Sequence, residues 1–155
     1  MRKSIDEIRE IVNKLVKKAG TYDSFKIAKF LDIDVLVMPL GKRDGYWAQD
    51  GRENVIVINE NLSCERQQLV CAHELGHAVM HKELGGSLMR AYTKLSLRHH
   101  EIEANFFSFS LVFKNFVGGE LIENVLAEYA LKKEEIQLMY EYLEGQRSLD
   151  DYHTW

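Results

Sequence analysis

Two histidines four residues apart with a glutamate beside the first, His73-Glu74-Leu75-Gly76-His77, are the residues whose types and spacing could do chemistry. On an α-helix, positions i and i+4 project from one face, so both rings can give a nitrogen to one tetrahedral zinc. Glu74 sits beside them on that face. A carboxylate next to a metal can take the proton of a water that attacks a carbonyl, which ties the H-E-x-x-H pattern to zinc-dependent hydrolysis, usually of a peptide bond. The expected activity is that of a zinc metalloendopeptidase, with His73 and His77 as metal ligands and Glu74 as catalytic base.

Two histidines leave such a site one protein ligand short, because a catalytic zinc takes three and keeps a position open. Downstream, the run from His99 to Phe113 is apolar nearly all round, the pattern of a buried helix, and polar groups planted in it need a reason. Glu101 and Asn105 share a face of that helix, whereas Glu103 points roughly 200° away from Glu101. Only one of the two glutamates can face the metal. Glu101 is the expected third ligand, with Asn105 one turn on to accept the outer N–H of a ligand histidine, and Glu103 is the alternative. His81, His99 and His100 read as surface residues or outer neighbours of the site. Tyr46, Tyr92 and Arg98 are equal candidates for stabilising an oxyanion. A His, His, Glu set takes Zn²⁺ and also accepts Mn²⁺.

The elements that must position these residues follow from periodicity. Leu69, His73, Gly76 and Met80 recur at helical spacing, Glu65 falls in the first turn, and Asn61 or Ser63 is placed to cap it. Gly76 costs about 1 kcal/mol against alanine inside a helix, which suggests that another element passes close by. Ile5, Ile8, Ile11, Val12, Leu15 and Val16 mark an amphipathic helix over residues 4–19 ending at Gly20, and a shorter helix follows over Ser24 to Leu31. Ile33 to Met38, Tyr46 to Gln49 and Asn54 to Ile58 read as strands, with Asp50-Gly51 as a hairpin turn. Tyr46 to Gln49 or Asn54 to Ile58 is the candidate edge along which an extended peptide would add. Residues 84–99, with Gly85-Gly86, read as a flexible connection holding one helical turn. After Gly118-Gly119, helices are expected over Glu120 to Ala130 and Lys133 to Leu143, followed by a frayed tail from Asp150 to Trp155.

The expected class is therefore α+β, with a small antiparallel or mixed sheet packed on the H-E-x-x-H helix. One domain over 1–155 would comprise N-terminal helices (1–32), the sheet and metal-binding helices (33–115) and a C-terminal helical extension (116–155). Hydrophobic residues at 46% and charged residues at 28% suit a globular chain. The net charge of −4 gives nucleic acid no bulk attraction, although residues 4–31 have the outline of two helices and a turn. The glutamate-rich C-terminal third suits either a solvated face or a basic protein partner. No apolar run follows the basic residues at Arg2 and Lys3, and no stretch reaches membrane-spanning length, so the expected location is cytoplasmic. Cys64 and Cys71, seven apart on one helix, would lie about 10 Å from each other, beyond disulfide reach.

The run Glu65-Arg66-Gln67-Gln68-Leu69-Val70-Cys71-Ala72-His73-Glu74-Leu75-Gly76-His77, together with Glu101-x-x-Ala104-Asn105-x-Phe107, resembles the ImmA/IrrE metallopeptidases, small zincins related to the gluzincins. The resemblance extends more loosely through Gly45-Tyr46 and Ile58-Asn59 and covers about residues 20–115. It implies the ligand and base roles already derived. It also implies a setting in a phage, mobile element or stress-response locus, where the peptidase cleaves or inactivates a helix-turn-helix repressor and so acts as an anti-repressor in transcription regulation. Where many relatives follow Ala-Asn with Leu-Leu-Met-Pro, this chain has Ser108-Phe109-Ser110-Leu111-Val112-Phe113-Lys114, a different wall for the substrate cleft. The rival reading is a metal-stabilised binder that sequesters a repressor without hydrolysis.

Overall fold

Ser4 starts the first helix, α1 (Ile5–Ala19), with a capping box: its side chain accepts from the Glu7 N–H while the Glu7 carboxylate accepts from the Ser4 N–H. Gly20 ends the helix in the left-handed region at φ 72°, where the sequence places its stop. The computed structural model describes residues 2–84, 94–114 and 122–150. After α1 come α2 (Ser24–Phe30), β1 (Asp34–Met38), β2 (Gly45–Asp50), β3 (Glu53–Asn59) and α3 (Cys64–Met80). A single 3-10 turn (Lys82–Leu84), α4 (Lys94–Val112), α5 (Ile122–Glu128) and α6 (Lys133–Asp150) complete the order. The class is α+β, as the periodicities predict.

The two boundaries that differ most from those the sequence suggests belong to α4 and α6. Helix α4 begins at Lys94, inside the stretch expected to be mostly loop, and α6 runs on to Asp150 instead of stopping near Leu143. Both extensions are polar and lack an apolar period of their own, but adding residues to a buried helix costs far less than nucleating one. Gly85-Gly86, Tyr92, Gly118-Gly119 and the tail beyond 150 lie outside the described residues.

The sheet is mixed, in the order β1-β3-β2. Strand β3 pairs in parallel with β1 and antiparallel with β2, and Asp50 opposite Glu53 closes the Asp50-Gly51 hairpin. Because β3 has a neighbour on each side, Asn54 to Ile58 is removed as a substrate-binding edge. Strand β2, with one neighbour among the described residues, remains. It comes up against α3 at Gly45, where a Cβ would lie 2.7 Å from the Val57 carbonyl oxygen and 2.8 Å from Val70 Cγ1. Only glycine allows that approach.

The core gathers Ile8 and Val12 of α1, Ile27 of α2, Ile56 and Ile58 of β3, Leu69 and Leu75 of α3, and Phe107 and Phe109 of α4. The close neighbour expected of Gly76 is α4. A Cβ at Gly76 would stand 3.1 Å from Cβ, Cγ and Cδ1 of Phe107, so the two helices that carry the candidate ligands approach each other there. No helix among the described residues is long and apolar enough to cross a membrane.

A buried ion network fixes α6 against α3. Ser63 caps α3 by accepting from the Arg66 N–H, and the Arg66 guanidinium, 5% exposed, donates to both Glu135 oxygens (2.9 and 3.0 Å) and to Asp44 (2.8 Å). Lys132 Nζ meets the same Asp44 oxygen at 2.9 Å. Burial works against the Asp44 charge, yet Arg66 and Lys132 together hold its carboxyl below the ordinary value. Arg66→Ala leaves two carboxylates without their shared partner and is expected to cost about 3 kcal/mol in urea unfolding. Arg66→Lys should restore little, since one ammonium cannot serve both carboxylates in that geometry. Unchanged stability in both variants would show that the network contributes nothing.

Candidate active site

Helix α3 presents His73 and His77 one turn apart, and α4 brings Glu101 against both. His73 Nε2 lies 3.0 Å from Glu101 Oε2, and His77 Nε2 lies 2.9 Å from Glu101 Oε1. One ligand atom from each of the three residues falls within 4.8 Å of the other two, an arrangement that could hold a metal ion. The outer nitrogens are also engaged. His73 Nδ1 is 3.0 Å from Asn105 Oδ1, and His77 Nδ1 is 2.9 Å from His81 Nδ1. With its Nδ1 proton donated to Asn105, neutral His73 turns a lone pair on Nε2 towards the Glu101 carboxylate. Acceptor against acceptor at that distance is repulsive unless a cation lies between them, so the donor set fits a bound metal.

The charges point the same way. Burial alone would lower the His73 pKa, but the hydrogen bond to Glu101 and the negative charges of Glu74 and Glu101 outweigh it and hold the ring at about 9. Burial would raise Glu101, yet its contacts with His73 and His77 keep it well below the usual carboxylate range. Without metal, a proton therefore takes the place of the cation. Zinc binding at pH 7 is expected to release about one proton, with affinity rising about tenfold per pH unit until His73 titrates at about 9. Titration calorimetry in buffers of different ionisation enthalpy reads this directly, and a proton count of zero would contradict it. The same shift gives the metal-free fold a stabilising contribution that is complete below pH 6.5 and lost as pH climbs through about 9.

Glu74 is half-buried and lines a cavity of about 320 Å³ with His73, Glu101, Asn105, Gly45 and the Arg66 network. A wider groove of about 890 Å³ runs on between α4 and α6, sharing Glu101, Asn105, Lys132 and Glu135 with that cavity. The described part of the chain thus offers a carboxylate and a candidate metal centre on an open trough that an extended peptide could occupy.

The sequence profile of the IrrE N-terminal-like domain, peptidase family M78, matches residues 28–142. The chain belongs to this family. The chain is 34% identical over 111 residues to uncharacterized immunity region protein 2 of Bacillus phage phi105, spanning 71% of this chain and 70% of that one. It is 28% identical over 115 residues to metallopeptidase ImmA of Bacillus subtilis, spanning 74% and 68%. The radiation response metalloprotease IrrE of Deinococcus radiodurans shares 50% identity over 48 residues, 31% of this chain and 14% of the relative. As a member of the M78 family the protein is a metallopeptidase.

The remaining candidates sort by position. Glu103 does not join the group of His73, His77 and Glu101; it is buried 3.0 Å from His81 Nε2, with the Lys3 N–H donating to its other oxygen at 2.6 Å. Arg98 lines the α4–α6 groove, while the Tyr46 ring lies under the Arg43 guanidinium, 4.9 Å from it. Tyr92 lies outside the described residues. His100 Nε2 is 3.6 Å from a Glu83 oxygen, and its ring meets those of His81 and His99 at 4.5 and 3.9 Å. Cys71 is buried and its thiol is pushed up to about 12 by that burial, which leaves it protonated and inert. Of the two readings the sequence left for His81, surface residue or outer neighbour, the structure takes the second: it is buried with Nδ1 2.9 Å from His77 Nδ1, and its spacing of four from His77 repeats that of His73 and His77.

Proposed function

We propose that this metallopeptidase is a zinc endopeptidase in which His73, His77 and Glu101 hold the metal, Glu74 is the base, and the substrate is a helix-turn-helix repressor of a phage or mobile element. The observation that carries the reading is the convergence of His73 Nε2 and His77 Nε2 on the two Glu101 oxygens at 3.0 and 2.9 Å. When bound, zinc supplies a Lewis acid that lowers the pKa of water and polarises a carbonyl. Glu74 takes the proton of the attacking water and passes it to the leaving amine. Asn105 holds the His73 ring with Nε2 turned inward. The outer edge of β2 supports an extended peptide by strand addition, and Gly45 lets that edge run close to α3 and the cavity.

The repressor assignment draws on relatives whose names place them in a phage immunity region or among the ImmA metallopeptidases. Its test is incubation of the zinc-loaded protein with the helix-turn-helix repressor encoded beside its gene, in parallel with a chelated sample and one reloaded with zinc. Repressor fragments, read by mass spectrometry, are expected only where zinc is present. An intact repressor in all three samples would reject the substrate, and cleavage that persists after chelation would reject the metal mechanism.

A further inference from the structure

His77 and His73 are held from behind by different chemistry. Behind His73 stands the neutral amide of Asn105, whereas behind His77 runs a chain of three contacts: His77 Nδ1 to His81 Nδ1 at 2.9 Å, His81 Nε2 to Glu103 Oε1 at 3.0 Å, and Glu103 Oε2 to the Lys3 backbone N–H at 2.6 Å. His77, His81 and Glu103 are 4%, 1% and 4% exposed, so the two contacts among them are shielded from water, while the bond to Lys3 is partly buried. No buried side-chain polar atom among the described residues lacks a partner.

The sense of the chain depends on the Glu103 carboxylate at its far end. A backbone N–H can only donate, so Glu103 Oε2 is an acceptor. With Glu103 ionised, Oε1 accepts the proton on His81 Nε2. Neutral His81 then has its lone pair on Nδ1 and accepts the Nδ1 proton of His77. That leaves the His77 lone pair on Nε2, the atom that faces Glu101. The reverse sense, starting from a protonated Glu103, would put an N–H on that atom and deny it to a metal.

We propose that His81 and Glu103 are positioning residues that fix the tautomer and orientation of His77 and polarise its ring through the negative charge of Glu103, with the N-terminal segment anchoring the chain through Lys3. This rests on the metal site argued above. It makes His77 the more strongly supported of the two histidines, because its backing ends in a carboxylate and that of His73 in an amide.

Glu103→Gln tests the inference with almost no change in shape. The amide oxygen can still accept from the Lys3 N–H, but the amide nitrogen then faces His81 Nε2 as a donor and drives the chain in the reverse sense. Zinc affinity measured against a chelating dye is expected to fall about 10- to 100-fold, and the visible absorption bands of the cobalt-substituted protein should shift. In a second pair, the His81→Asn oxygen can take the place of Nδ1 and accept the His77 proton, whereas His81→Phe cannot. The Asn variant should bind zinc at least about tenfold more tightly than the Phe variant.

A Glu103→Gln protein with zinc affinity within about twofold of the wild type and an unchanged cobalt spectrum would overturn the proposal. If Glu103→Gln does not fold, equal affinities in the two His81 variants would do the same. Zinc affinity insensitive to Glu101→Ala would instead sink the metal-site reading, and the relay with it.

Discussion

Glu74→Gln is expected to leave zinc bound and to slow peptide hydrolysis by about 10²- to 10⁴-fold, the range for loss of a general base. Glutamine keeps the length and shape of the side chain and can still accept a hydrogen bond, but it cannot take a proton from water. Glu74 stands outside the group of atoms that could hold the metal, so the metal has no reason to leave. The charge of Glu74 does help to raise the His73 pKa. Its removal eases the competition from the proton but also weakens the attraction for the doubly charged ion, so the variant is expected to keep its zinc without binding it more tightly. Metal content by mass spectrometry and turnover of a cleaved substrate, measured on the same sample, separate the two effects. A variant that retains zinc and turns over at the wild-type rate would remove Glu74 from the mechanism.

Glu101→Ala should behave in the opposite way and lose the metal itself. Its carboxylate is the only negatively charged member of the candidate donor set, and it touches both histidines although its side chain is 51% exposed. That exposure matters for the experiment, because an exposed side chain can be truncated with little cost to packing. Zinc affinity is expected to fall by more than the 10- to 100-fold typical of an outer partner. In the metal-free protein, loss of the contact between Glu101 and protonated His73 should lower the unfolding midpoint at neutral pH, an effect that fades as pH climbs through about 9. Gel filtration followed by metal analysis would find no zinc in the variant and one equivalent in the wild type. A Glu101→Ala protein that carries one equivalent with wild-type affinity would show that another residue completes the site.

These variants probe different kinds of information in the chain. The pairing of His73 with His77 and the place of Glu74 beside them follow from the helical period alone, since residues one turn apart share a face in any α-helix. The caps at Ser4 and Gly20 and the hairpin at Asp50-Gly51 are equally local, each set by bonds or backbone angles within a few residues. Gly76 signalled a close neighbour because glycine is costly in a helix, without saying which element it was.

The choice between Glu101 and Glu103 was of another kind. Helix geometry says only that they point apart; the rotation of α4 about its axis decides which one meets the histidines. That rotation is set where Phe107 packs over Gly76, a contact between segments 31 residues apart in the chain. The relay from His77 to Lys3 and the tie of Arg66 to Asp44 and Glu135 are likewise nonlocal, joining residues up to 100 positions apart. The sequence by itself determined which chemical groups the protein owns and which share a helical face. The tertiary structure decided which groups meet across elements, because that depends on how whole helices pack, and packing is a property of the folded core rather than of any short run of residues.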